Sequence, residues 1–229
     1  MSRSRTRGYL SPDLWDPVVR ITHWGVALAV ILNATLTRGG GSTHVWIGWG
    51  AMALLVLRIL WGLVGTAEAR FSAFPPNPVA ALRHLARLVA GRPGDYASHN
   101  PAGAMMAYTL WAALSVMIVT GLMLSRTTPW TLAAQEAAVA AGDWSVMLAN
   151  GTGGEDAART GPFGISRSAL AGVHRTMANV ILLLAALHVG GVIVESRAMR
   201  RNLVRPMIAG PGRARRRDED AVRIRVSSR

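Results

Sequence analysis

A chain of 229 residues, 51% of them apolar and with a mean hydropathy of +0.27, is too apolar for an ordinary soluble domain, and its length suits one domain. Net charge is +13, carried by 25 basic side chains that are all arginine. Cysteine is absent, which excludes iron–sulfur clusters, disulfides, thiol catalysis and covalent C-x-x-C-H haem attachment together.

The first 17 residues are polar and bear arginines, with no small-residue cleavage site behind a short apolar core. The first apolar run therefore reads as an uncleaved membrane anchor. A bilayer core of ~30 Å needs roughly 20 apolar helical residues. Four segments meet that requirement, at about residues 18–36, 44–65, 101–124 and 170–194. Two of them open on an N-cap residue before a first-turn proline, Asp16-Pro17 and Asn100-Pro101. The expected fold class is an all-α membrane protein, a four-transmembrane-helix up-and-down bundle spanning residues 1–210, with a basic tail at 211–229.

The links differ in character. The first, 37–43, holds Gly39-Gly40-Gly41 and predicts a tight antiparallel hairpin. The second, 66–100, contains Pro75-Pro76 and then a stretch over 78–90 where Val79, Leu82, Leu85, Leu88 and Val89 alternate with Arg83, His84 and Arg87. That pattern predicts a short amphipathic helix on the membrane surface, with His84 on its polar face. The third, 125–169, is long, Gly-rich and mildly acidic, and shows no clear period.

Arginine placement sets the orientation. The N-terminus, the second link and the C-terminal tail carry nineteen arginines, against Arg38, Arg126, Arg159 and Arg167 in the other two links. The positive-inside rule puts both termini in the cytoplasm, and an even number of spans agrees. The tail arginines, Arg213 and Arg215 to Arg217 among them, read as orientation and anionic-lipid contacts rather than a nucleic-acid site.

Ionisable groups inside a membrane are costly, so each is a functional candidate. Four of six histidines fall within spans: His23, His44, His174 and His188. Depth sorts them into an inner, cytoplasmic-side pair, His23 with His188, and an outer pair, His44 with His174. His174 and His188 are fourteen residues apart, which puts them on one helix face at ~21 Å separation. Structural zinc wants three or four ligands at one point. Two facing imidazoles instead suit the axial positions of a haem iron between bundle helices, and with both positions filled the natural role is electron transfer.

Arg58 lies fourteen residues after His44, at inner-pair depth. It either pairs with a haem propionate or snorkels to the inner headgroups. Gly48, Gly172, Gly190 and Gly191 flank the histidines and leave room for a flat cofactor or a close helix contact. Trp24, Trp46, Trp49 and Trp61 suit an interfacial belt. His99 reads as a loop histidine or a contact to propionate or quinone.

These residues resemble a known family, the bacterial cytochrome b561 and nickel–iron hydrogenase cytochrome b subunits, over about residues 15–210. The resemblance rests on Trp15-Asp16-x-x-Val-Arg20-x-x-His23-Trp24, His44-x-x-x-Gly48 and Leu57-Arg58-x-x-Trp61-Gly62-x-x-Gly65. Further carriers are Ala69-Arg70-Phe71, His99-Asn100-Pro101-x-Gly103, His174 with His188, and Asn202-Leu203-Val204-Arg205. It implies two non-covalent b-type haems with the four histidines as axial ligands, an inner-membrane location and electron traffic with quinone. The partners it implies are a periplasmic redox protein such as a hydrogenase, dehydrogenase or c-type cytochrome, besides membrane lipid, with a homodimer left open. The third link, with its Gly-rich 150–154 stretch, departs from the motifs. Two other functions compete: a stand-alone quinone-linked oxidoreductase such as a superoxide oxidase, and a haem-free transporter or anchor.

Overall fold

The computed structural model describes residues 16–92, 94, 96, 100–125, 128–146, 164–200 and 202–209. His99, the 150–154 stretch and the basic tail 211–229 lie outside the described residues. Among those described, regular structure is helical: α1 (Pro17–Thr35), α2 (Ser42–Val64), α3 (Pro78–Val89), α4 (Pro101–Ser125), α5 (Pro129–Ala140), α6 (Arg167–Ala198) and α7 (Arg205–Ala209). Two 3-10 turns, Ala67–Ala69 and Phe71–Ala73, follow α2. Helices α1, α2, α4 and α6 are long and apolar enough to cross a membrane. The protein is an all-α, multi-pass membrane protein with four spans.

Four helices start alike. An Asx or Thr side chain accepts a hydrogen bond from the backbone N–H three residues on, and proline follows it directly. Val19 donates to Asp16 at 2.8 Å, Ala80 to Asn77 at 2.9 Å, Gly103 to Asn100 at 2.7 Å and Thr131 to Thr128 at 3.4 Å. Such caps satisfy N–H groups that the helix itself leaves open. The fourth starts α5, a helix inside the link read from sequence as having no period. Its Ala-rich composition gives no apolar stripe, but Thr128-Pro129 carries the same start signature.

The chain divides into two compact units. One is formed by residues 24–57 and 107–186. Leu55, Leu114 and Ile181 are buried at its centre, with Val26, Val30, Trp111 and Met117 packed against them. Gly25 lets α1 and α2 approach, since a Cβ there would stand 2.6 Å from Leu54 Cδ1. Close packing of this kind matters more in lipid than in water, because lipid tails compete equally well for apolar side chains.

The hairpin of α1 and α2 turns at Gly40 and Gly41, with φ of +90° and +88°, values that side-chain-bearing residues rarely adopt. Glu136 of α5 accepts hydrogen bonds from the Ser42 backbone N–H at 2.9 Å and the Ser42 hydroxyl at 2.5 Å. A carboxylate thus caps the N-terminus of α2, where the helix dipole favours negative charge. Trp130, also on α5, packs its ring 5.7 Å from both Trp46 and Trp49.

The other unit comprises residues up to 23, 58–106 and from 187 onward. The buried Asp16 carboxylate accepts from Trp61 Nε1 and Thr66 Oγ1, each at 2.8 Å, besides capping α1. Trp61 therefore serves an internal hydrogen bond as well as the expected belt. Gly62 lies against the Phe71 ring, where a Cβ would come within 2.3 Å of Cζ, and Arg70 Nε donates to Gly65 O at 2.8 Å. These contacts fold the two 3-10 turns beneath the end of α2.

Helix α3 has three sectors rather than two. Val79, Leu82, Leu85 and Val89 are exposed apolar residues suited to lipid, and Arg83 and Arg87 are exposed charges. The third sector, Ala81 and His84, is buried. His84 is 2% exposed, so its expected place on a solvated polar face is corrected. The cause is a partner far away in sequence: Glu195 of α6, whose Oε1 is 3.6 Å from His84 Nε2.

Hydrogen bonds from the Ser42 side chain and backbone hold the Glu136 carboxyl below its ordinary pKa of 4.5. A carboxylate with a depressed folded-state pKa contributes stability above the ordinary value and loses it as pH falls through the folded-state one. Amide exchange over Pro129–Ala140, taken relative to the intrinsic rate at each pH, is expected to show high protection at neutral pH and lower protection upon acidification below the ordinary carboxylate range. Glu136→Ala is expected to show the lower protection already at neutral pH.

Candidate functional site

The four intramembrane histidines meet as two pairs, each inside one unit. His23 of α1 and His188 of α6 have ring centroids 6.2 Å apart with planes inclined at 56°. His44 of α2 and His174 of α6 stand 6.1 Å apart at 64°. An imidazole nitrogen sits about 2.0–2.1 Å from a metal it binds, with the ring centre roughly 1 Å behind, so two rings sharing one ion have centroids about 6 Å apart. Both pairs have that spacing. Among the described residues no group of three or more His, Cys, Asp or Glu converges to hold a metal, so the donor sets are two-nitrogen sets.

Hydrogen bonds fix the tautomers of the second pair. His44 Nδ1 lies 3.1 Å from the carbonyl oxygen of Thr37, which can only accept, so Nδ1 carries the proton. His174 Nδ1 lies 3.0 Å from Thr120 Oγ1. The single proton of that hydroxyl is directed to the carbonyls of Val116 and Met117, at 2.9 and 3.0 Å, so its oxygen accepts from His174 Nδ1–H. Both rings are thereby left with a bare Nε2 lone pair. Anchoring the far nitrogen on a carbonyl or equivalent acceptor is what orients a metal-binding histidine and raises its basicity.

Further contacts build this setting. Asn33 Nδ2 donates to His44 O at 3.2 Å, and Thr37 Oγ1 donates to Asn33 Oδ1 at 2.7 Å, so the hairpin turn and the His44 turn are one network. Gly121 allows α4 to approach His174, since a Cβ there would stand 3.2 Å from the ring Cε1. At Gly48, Gly172, Gly190 and Gly191 an added Cβ would meet nothing within 4 Å. Space is thus open beside both pairs.

Arg58 is buried, at 7% exposure, in the unit that holds His23 and His188. Its Nη2 donates to Ala69 O at 3.3 Å. The sequence left a propionate contact and snorkelling open for Arg58; its guanidinium is buried and bonded to a 3-10 turn.

A family model described as prokaryotic cytochrome b561 matches residues 14–210. The chain belongs to the prokaryotic cytochrome b561 family. Comparisons with curated proteins and with solved structures gave no match. As a cytochrome b561 the chain is a membrane b-type cytochrome of electron transfer, and b-type haem binding follows from membership. The residues fit that group. Cysteine is absent, so attachment is non-covalent; the pairs offer imidazole nitrogens at metal-sharing distance; and glycines leave room at their flanks.

Sequence reasoning missed Thr120 and the Thr37 carbonyl. A lone threonine in an apolar helix commonly bonds back to its own backbone, and a main-chain carbonyl leaves no residue-type signal. Thr120→Val is expected to weaken haem retention, on the order of 10-fold or more in affinity. Thr120→Ser, which keeps the acceptor, is expected to restore it, and haem titration of the purified variants measures both.

Proposed function

We propose that this cytochrome b561 holds two b-type haems, one between His23 and His188 and one between His44 and His174, and transfers electrons between a periplasmic redox protein and membrane quinone. The observation that carries this reading is the duplicate geometry: two histidine pairs, each with ring centroids about 6 Å apart, as two axial ligands require. A haem in such a site supplies a one-electron iron couple. The residues do the rest. His23, His188, His44 and His174 would hold the haems through imidazole nitrogens, and Thr37 and Thr120 keep the His44 and His174 rings in the ligating tautomer. Arg58 provides a fixed positive charge suited to a propionate carboxylate.

The arginine distribution supports an inner-membrane location with both termini in the cytoplasm. In that orientation the His44/His174 pair is nearer the periplasm and takes electrons from the soluble partner, such as a hydrogenase, a dehydrogenase or a c-type cytochrome. Helix α5 lies on that side and offers the partner a docking surface. Quinone chemistry then belongs to the unit that holds His23, His188, Arg70 and α3.

His23→Ala and His188→Ala are each expected to remove about half the haem from the purified protein and leave the remaining half spectrally intact. If His23→Ala and His44→Ala depleted the same haem, the pairing would be wrong. Arg58→Leu is expected to shift the midpoint potential of the His23/His188 haem downward, because a neighbouring cation favours the more electron-rich reduced state. A redox titration in which neither haem moves would remove Arg58 from the propionate site.

A further inference from the structure

A buried polar cluster in the unit that holds His23 and His188 takes no part in the histidine pairs. His84 of α3, Glu195 of α6, Asn100 at the start of α4 and Tyr96 before it come together there. In Asn100 the orientation of the amide is fixed: Oδ1 accepts from the Gly103 N–H at 2.7 Å, so Nδ2 is left to donate to Glu195 Oε2, at 2.5 Å. That engages one carboxylate oxygen and turns the other, Oε1, toward His84 Nε2 at 3.6 Å. The distance is an ion-pair distance, longer than a direct hydrogen bond. A small rotation of either side chain closes it.

The other imidazole nitrogen, Nδ1 of His84, is buried and has no hydrogen-bond partner among the described residues. Leaving such an atom unsatisfied is costly. A clamp built only for stability has no use for that cost; an atom that receives a proton or a polar ligand does. Tyr96 closes one side of the ring, with centroids 5.2 Å apart. Glu195 follows His188 by seven residues on the same helix, two turns along the same face.

Resting on the proposed quinone reaction, we propose that His84 and Glu195 are the acid–base pair that exchanges the protons of that reaction with water. Conversion of a quinone to its quinol takes up two electrons and two protons, and both oxygens end as hydroxyls. The two electrons are those of the proposed electron-transfer function. The two protons pass one at a time from Glu195 Oε1–H to the quinone oxygens. After each, His84 Nε2–H returns a proton to Glu195 as His84 Nδ1 takes up the replacement from water, and rotation of the ring exchanges the two nitrogens so that an N–H again faces Glu195. Quinol oxidation runs the same steps backward. A carboxyl and an imidazole in sequence suit this work because each can both bind and release a proton. Asn100 is a positioning residue that fixes which carboxylate oxygen faces the imidazole.

The test uses the full-length, haem-loaded protein with a short-chain ubiquinol as the electron donor. In the unmodified protein, reduction of haem by the quinol is expected to slow in heavy water. Redox-difference infrared spectra are expected to contain a carboxyl band that is missing from Glu195→Gln. Glu195→Gln and His84→Gln are expected to react with quinol more slowly, by about 100-fold or more. Their haem content, optical spectra, midpoint potentials and reduction by dithionite should match the unmodified protein, and small weak acids added to the buffer should partly restore the quinol rate. A purely structural clamp would give no such chemical rescue and no carboxyl band. If the unmodified protein reacts with quinol and both variants react equally fast, the acid–base pair is overturned while the quinone reading stands. If the unmodified protein does not react with quinol at all, the quinone reading falls and takes the pair with it. Should Glu195→Gln fail to fold, absence of the carboxyl band from the unmodified protein by itself overturns the proposal.

Discussion

Hydrocarbon offers a polar side chain nothing to bond with, so a polar group inside a spanning helix must be satisfied by the protein or by something the protein binds. The distribution of buried residues follows from that constraint. Asp16, Thr22, Arg58, His84, Thr120 and Glu195 are buried, whereas Ile21, Leu28, Leu60, Leu63, Leu183 and Leu187 are exposed. In water this pattern would be inside out. In lipid it is the stable one, because leucine loses nothing by facing acyl chains and a carboxylate or guanidinium loses a great deal.

Each buried polar residue therefore reports what it is bonded to. Thr22 and Thr120 return their hydroxyl protons to carbonyls one turn back. Asp16 gathers Trp61, Thr66 and the first turn of α1. Thr120 goes further, since the same oxygen that satisfies its own helix also receives the His174 proton. One hydroxyl thereby links ordinary helix chemistry to the orientation of His174. The fold and the site are held by the same kind of bond.

Much of this was legible in the sequence. The spans lie within a few residues of the helices because an apolar run of bilayer length has few other readings, and Asp16-Pro17 and Asn100-Pro101 mark true helix starts. The meeting of His23 with His188 and of His44 with His174 followed from depth, which is set by counting along each span. The illegible parts were those decided by distant partners or by featureless composition. Helix α6 continues to Ala198, past the apolar run ending at 194, because hydropathy marks where lipid stops rather than where a helix stops. Helix α5 is rich in alanine and has no stripe to find. His84 looked solvated beside Arg83 and Arg87, and nothing local names Glu195, 111 residues onward, as its partner.

The turn between α1 and α2 has a consequence for how the chain tolerates change. Surface loops ordinarily accept insertions, since their backbone groups bond to water. Here the Thr37 carbonyl holds His44, Asn33 closes on the same turn, and Gly40 and Gly41 supply the backbone angles that bring the two helices round. Adding even one residue between Thr37 and His44 displaces the acceptor from the ring. This short external loop is therefore length-locked, and an epitope tag or reporter placed there would disturb His44 directly, however exposed the glycines are.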